Sequence, residues 1–277
     1  MAGPMLDLDP SRTDAPPRDA ATLIVVRDVS DGIEVFCVER HPKSGFLGGA
    51  VVFPGGKVDA DDASPEWASV VDGGQDDRAL RIAACREALE EAAILPVCGG
   101  SVTHAALLDL RSRLVKKEAS VIAFLREHAL RLDLGALRPF ARWITPIAEA
   151  RRYDTRFYLA TLPRDQSGAH DDHETTSSFW ARPADVLARW EAGTVALAPP
   201  THRTLEVLTR ASTCADAIAM AAGACLDPIC PVLLPYDGTI ALALPGDPAH
   251  DVRESRVPGR SRYVLRGDRF IPEDAPP

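Results

Sequence analysis

Two apolar, β-branched runs, Thr22–Arg27 and Ile33–Arg40, flank the polar stretch Asp28-Val29-Ser30-Asp31-Gly32 and predict a β-hairpin. Val51-Val52-Phe53 reads as a buried strand end. The Pro54-Gly55-Gly56 that follows predicts a turn whose backbone is open to close approach. From Asp77 to Leu95 the pattern changes to a run of Ala, Leu, Arg and Glu, all good helix formers. Ile82, Cys85, Leu89 and Ala92 recur there at helical spacing and form an apolar stripe. Leu107 through Leu130 predicts two helices broken near Lys117–Ser120. Short strands are expected at Arg142–Thr145, Arg156–Leu162 and Glu174–Trp180, and helices at Pro183–Ala192, Pro200–Arg210 and Ala211–Cys225. Val232–Leu234, Thr239–Leu244 and Tyr263–Leu265 are short β-like runs between Asp-Gly and Pro-Gly signals.

Strands interleaved with helices place the chain in the α/β class. Its expected organisation is a flexible, Pro- and Asp-rich tail over residues 1–20, a main domain over 21–210 and a C-terminal extension over 211–277. The pattern leaves open whether that extension packs on the main domain or makes a homodimer contact.

One polar feature is locally unfavourable. Glu87, Glu90 and Glu91 stand at i, i+3 and i+4 near the end of the predicted helix. They repel one another and oppose the helix dipole, at a cost of several tenths of a kcal/mol each. Arg86 is the one neighbouring cation in sequence. A divalent cation would turn the repulsion into a chelate, and an all-oxygen set suits Mg²⁺ or Mn²⁺ better than zinc.

Composition narrows the reading. The chain has 277 residues, 46% apolar and 26% charged, ordinary for a soluble globular protein. A net charge of −9 without a Lys/Arg cluster gives no basis for a nucleic-acid partner. Six scattered cysteines lack a Cys-x-x-Cys pair and read as free thiols. No apolar run is long enough to span a bilayer, and no signal peptide is evident, so the cytoplasm is the expected compartment.

A strand, a glycine bend, and then a helix carrying Arg86-Glu87-x-x-Glu90-Glu91 resemble the signature of the Nudix hydrolases, with Ala93 at its final Gly. Thirty positions separate Gly56 from Arg86, against fourteen in the standard box. Counted back from Arg86, the early Glu of the signature falls on Arg78 and is missing. Residues 59–77 read as a surface loop inserted into the box, with one short helical turn around Pro65–Val71. An interrupted box preceded by Gly49-x-x-x-Phe53-Pro54-Gly55-Gly56, and followed by Ala150–Leu159, resembles the coenzyme A diphosphatase branch. That branch carries a basic residue where this chain has Gly45.

The resemblance implies a Nudix-type α/β/α sandwich with a mixed sheet, and hydrolysis of a diphosphate linkage with Mg²⁺ or Mn²⁺. The implied substrate is a small nucleoside diphosphate derivative, coenzyme A or an acyl-CoA. A nucleotide-sugar or dinucleotide diphosphatase and a catalytically silent nucleotide-binding domain are the alternatives. Glu90 and Glu91 are the implied metal ligands, with Glu87 a further ligand or the base and the carbonyl of Gly55 or Gly56 a backbone ligand. Arg86 would orient the carboxylates. Glu174, ahead of Trp180, is the best-placed later carboxylate. Arg40, Arg151 and Arg152 are candidate phosphate ligands because a guanidinium matches a phosphate bidentately. His170, Asp172 and His173 read as loop residues rather than zinc ligands.

Overall fold

The computed structural model describes residues 6–13, 15–42, 44, 47–171 and 174–276. Gly45 and Phe46 of the loop before the glycine bend lie outside the described residues, as do Asp172 and His173.

In chain order the first elements are β1 (Arg18–Val29), β2 (Gly32–Arg40), β3 (Val51–Val52), β4 (Gly55–Lys57), β5 (Val71–Asp72), α1 (Arg78–Ala92) and β6 (Val97–Cys98). There follow α2 (His104–Val115), α3 (Val121–Glu127), β7 (Arg131–Asp133), β8 (Arg138–Ile144), β9 (Tyr153–Thr161) and β10 (Thr175–Ala181). The chain closes with α4 (Pro183–Glu191), α5 (Pro199–Leu208), α6 (Cys214–Ala222) and the strands β11 (Val232–Tyr236), β12 (Thr239–Ala243), β13 (Arg262–Arg266) and β14 (Arg269–Glu273).

The central sheet runs β10-β2-β1-β9-β8, with β3 added to β2 and β4 to β1. It is mixed, because β1 and β9 are parallel whereas β1 and β2 are antiparallel. β1 is apolar on both faces, as a strand covered on both sides must be. Ala21, Leu23 and Val25 face a core shared with α1, α2 and α3. Ile24 and Val26 face a second core shared with α4, α5, α6 and the C-terminal sheet. The sheet is thus the middle layer of an α/β/α sandwich. Ile82, Cys85, Leu89 and Ala92, the stripe read from the sequence, are all fully buried under it.

Three regions differ from the sequence reading. The Pro-Gly-Gly is not an open turn: the chain bends at Pro54, and Gly55–Lys57 then pairs antiparallel with β1. The inserted stretch is mostly exposed, as a surface loop should be, and the short helical turn expected around Pro65–Val71 is present as a 3₁₀ turn at Pro65–Ser69. A second 3₁₀ turn at Ala60–Ala63 and the strand β5 were not expected. Trp67 and Val70, 6% and 2% exposed, pin the loop to the α1 core. Within the N-terminal tail, β1 already begins at Arg18, and Leu6 and Leu8 pack on the second core. There Asp9 N–H donates to the Ala148 carbonyl at 2.8 Å and Asp7 N–H to Glu149 Oε2 at 2.7 Å.

The C-terminal strands form a four-stranded antiparallel sheet, and Leu242, Leu244, Tyr263 and Phe270 bury themselves in the second core. On its way there the chain runs along the edge of β8, where Ile144 N–H donates to the Ile229 carbonyl and Ile229 N–H to that of Arg142. Residues after 210 therefore pack on the main sheet. Among the described residues no helix is long and apolar enough to cross a membrane, and all six cysteines are free thiols.

Candidate active site

Glu87, Glu90 and Glu91 occupy the last two turns of α1, which packs against β1 and β4. Helix and glycine strand meet at very short range. A Cβ on Gly56 would lie 2.5 Å from Glu87 Oε1, and a Cβ on Gly55 would lie 2.6 Å from the Ala21 carbonyl oxygen. Neither glycine has a positive φ. They are needed because a carboxylate and a neighbouring strand press against the backbone, not because the chain turns through left-handed space.

Glu91 is 2% exposed and lies behind Gly55, whose N–H donates to its Oε2 at 3.0 Å. The Arg40 guanidinium is 3.7 Å from Oε1, which is buried without a hydrogen-bond partner. Burial pushes the Glu91 carboxyl up to about 8, against the lowering effects of the Gly55 N–H and Arg40. Burial also pushes Glu87 up to about 7; Arg86 opposes the shift, and Glu90 and Glu174 add to it. Glu90 is raised by burial, offset in part by Arg86. Too little positive charge surrounds these carboxylates for all of them to ionise easily.

Arg86 is the hub. Its Nε and Nη2 each donate at 2.9 Å to a different oxygen of Asp62, while Nη1 reaches Glu87 at 2.8 Å and Glu90 at 3.2 Å. Nη2 also donates to the Lys57 carbonyl at 2.9 Å. Asp62, 1% exposed, further accepts the Asp59 N–H at 2.8 Å. This is the acidic residue that counting back from Arg86 missed. Counted forward, Asp62 follows Gly56 after five residues, the spacing of the signature's early acid. The box is therefore interrupted after Asp62, and the acid is present as Asp rather than Glu.

A cleft of roughly 420 Å³ opens beside this cluster. Glu87, Glu90, Glu174, Arg40, Lys57 and Arg86 line it together with Phe53, Trp143, Pro199 and Leu242. By strand register Lys57 of β4, Ala20 of β1, Thr155 of β9 and Trp143 of β8 follow one another across it. The structure thus brings Glu174 to the carboxylates, where its charge raises Glu87, Glu90 and Glu91 further. What it shows of Gly55 is the N–H on Glu91.

Arg151 and Arg152 do not line the cleft. Arg151 is exposed, and its backbone N–H donates to Glu149. Arg152 is buried and donates to the carbonyls of Thr145 and Ala15, tying the N-terminal segment to the β8–β9 connection. Adjacent arginines in that connection point away from each other, and the buried one is committed to backbone carbonyls. His170 turns to the Ser178 hydroxyl.

The donor set suits a hard divalent cation. All candidate ligands are oxygens, one of them a buried acceptor without a partner, and added positive charge would relieve the raised carboxyls. Among the described residues no three acidic side chains already converge on one point. Arg86 holds Glu87 and Glu90, and Gly55 holds Glu91. The fit lies in the chemistry of the donors, not in a preassembled cage.

A family model of the NUDT19 Nudix domain matches residues 72–208. The chain is 28% identical over 297 residues to the acyl-coenzyme A diphosphatase NUDT19 of Gallus gallus, covering 86% of this chain and 78% of that protein. To the Homo sapiens protein of the same name it is 26% identical over 274 residues, with 79% and 72% covered. The crystal structure of a Nudix hydrolase from Alicyclobacillus acidocaldarius superposes with a TM-score of 0.65 at 32% identity, over 74% of this chain and 96% of that one.

Proposed function

The chain belongs to the Nudix hydrolase family, and from that premise we propose that it hydrolyses the diphosphate linkage of coenzyme A or an acyl-CoA, using Mg²⁺ or Mn²⁺. The products are 3′,5′-ADP and (acyl-)4′-phosphopantetheine. The observation that carries the reading is Glu87 and Glu90 locked to Asp62 by Arg86, with Glu91 held behind Gly55, beside a cleft also lined by Glu174 and Arg40. The substrate class comes from the relatives named acyl-coenzyme A diphosphatase.

Glu87, Glu90, Glu91 and Glu174 would hold the cation, with the Gly55 backbone alongside. Bound there, it supplies neutralisation of the diphosphate charge and acidification of water. The remaining work falls to side chains of this chain. Arg40 and Lys57, at the same end of the cleft, attract the phosphates. Glu87 lines the cleft and serves either as a further cation ligand or as the base that takes a proton from the attacking water. Water adds to one phosphorus, the bridging P–O bond breaks, and the proton ends on the departing phosphate. Arg86 stays charged and fixed on Asp62, which keeps Glu87 and Glu90 turned toward the cleft.

The test is product analysis by mass spectrometry over a panel of coenzyme A, acyl-CoA, ADP-ribose and a dinucleoside diphosphate, with Mg²⁺, Mn²⁺ or EDTA. Cation-dependent release of 3′,5′-ADP from coenzyme A supports the reading. Preference for ADP-ribose or the dinucleotide would move the substrate class, and binding without turnover would make this a silent domain.

A further inference from the structure

The β8 end of the cleft, at Trp143, lies three strands away from Lys57 of the glycine strand, and the apolar residues that wall the cleft there are not built by the catalytic elements. Leu6 comes from the N-terminal segment, Pro199 and Pro200 from the start of α5, and Pro231 and Leu242 from the C-terminal extension. We infer that this end receives the aliphatic, amide-linked arm of the substrate, the 4′-phosphopantetheine half, and that Leu6 and Leu242 set which arms fit. The inference rests on the coenzyme A reading of the same site.

Charge separates the two halves of such a substrate. The 3′-phosphorylated nucleotide is polyanionic, and burying it against Leu, Pro and Ala without paired cations carries a heavy desolvation cost. Arg40, Lys57 and Arg86 all lie at the carboxylate end. The pantetheine arm is uncharged and carries a gem-dimethyl group, so apolar walls favour it.

The extension holds its side of the wall rigidly. β12 lies between β11 and β13, with Ala241 and Ala243 buried on either side of Leu242. Arg262, paired in register with Ala243, makes a buried bidentate pair with Asp247 at 2.7 and 2.8 Å. A wall fixed this way can discriminate by shape.

Titration calorimetry of the wild type, Leu6→Asp and Leu242→Phe with each product tests this directly. Leu6 is half-buried against the second core and Leu242 is fully buried beside it, so melting curves check that both variants fold. The expected result is 4′-phosphopantetheine weakened about tenfold or more in both variants, with 3′,5′-ADP within about twofold of wild type. Equal weakening of both products, selective weakening of 3′,5′-ADP, or no change in either would overturn the inference. Wild-type protein that binds neither product would instead defeat the coenzyme A reading, and this inference with it.

Discussion

Asp62 and Arg86 face each other through two hydrogen bonds of 2.9 Å, joining the residue that ends the glycine strand's exit to the middle of α1. Asp62→Asn removes the charge that holds a largely buried guanidinium. Breaking such a pair from one side costs about 3 kcal/mol or more. The freed Arg86 then closes more tightly on Glu87 and Glu90. Denaturant unfolding and steady-state kinetics should show that loss of stability together with a fall in kcat of tenfold or more. Wild-type stability in Asp62→Asn would remove the clasp from the account.

The carboxylates themselves behave oppositely. Glu90→Gln and Glu91→Gln each relieve repulsion while deleting an oxygen donor of the proposed cation site. We expect turnover to drop by about a hundredfold or more, while the thermal transition of the metal-free protein holds or rises. Unaltered turnover would exclude the cation assignment; collapse of folding would make these residues structural.

Acidity gives a sharper signature. In the metal-free fold, burial holds Glu91 at about 8 and Glu87 at about 7, both above the ordinary glutamate value of 4.5. The folded state therefore binds these protons more tightly than the unfolded state. Their contribution to stability is complete below pH 4.5 and is lost as pH rises through 7 and 8. Scanning fluorimetry from pH 5.5 to 8.5 should show the melting temperature falling by roughly 5 °C more in the wild type than in Glu91→Gln. Mn²⁺ added at pH 8 should recover the difference. Parallel curves for the two proteins would rule this out.

The two glycines of the bend should fail differently when given a methyl group. At Gly56 the added Cβ meets the Glu87 carboxylate, which can swing away, so Gly56→Ala should fold but lose activity. At Gly55 it meets Ala21 O and Thr22 Cα, at 2.6 and 2.8 Å, and backbone cannot yield so easily. Gly55→Ala should lose about 2 kcal/mol or more of stability. Equal stability in the two variants would contradict the packing described.

Arg151 and Arg152 supply a further contrast. Arg152→Ala removes a buried side chain together with its hydrogen bonds to the carbonyls of Thr145 and Ala15, and should cost about 1 to 3 kcal/mol, measured by denaturation. Arg151→Ala should be neutral in stability and in KM. A raised KM in either variant would return that side chain to the phosphate site.

Legibility in the sequence followed how local each signal was. The β1–β2 hairpin, α1 and the broken α2–α3 pair were readable because each announces itself by periodicity and punctuation within a few residues. The order of the strands in the sheet, with β9 inserted parallel beside β1, left no such trace. Arg86, Glu87, Glu90 and Glu91 share one helix, so their proximity was visible from spacing alone. Asp62 was legible only by counting forward from Gly56, because counting back from Arg86 runs into the insertion. Arg151 and Arg152 looked alike as neighbouring cations, and only tertiary packing separates a buried carbonyl donor from an exposed side chain. The cleft's apolar walls come from residues 6, 199, 231 and 242, a juxtaposition no local pattern encodes.

The same clasp frees the stretch it closes. With Asp62 fastened to Arg86, and Trp67 and Val70 buried in the core, the exposed bend at Gln75–Asp77 carries little of the packing. Extra residues there would add only a slowly growing entropic penalty. That bend is a ready port for splicing in a peptide reporter or an affinity handle a short way from the reactive carboxylates.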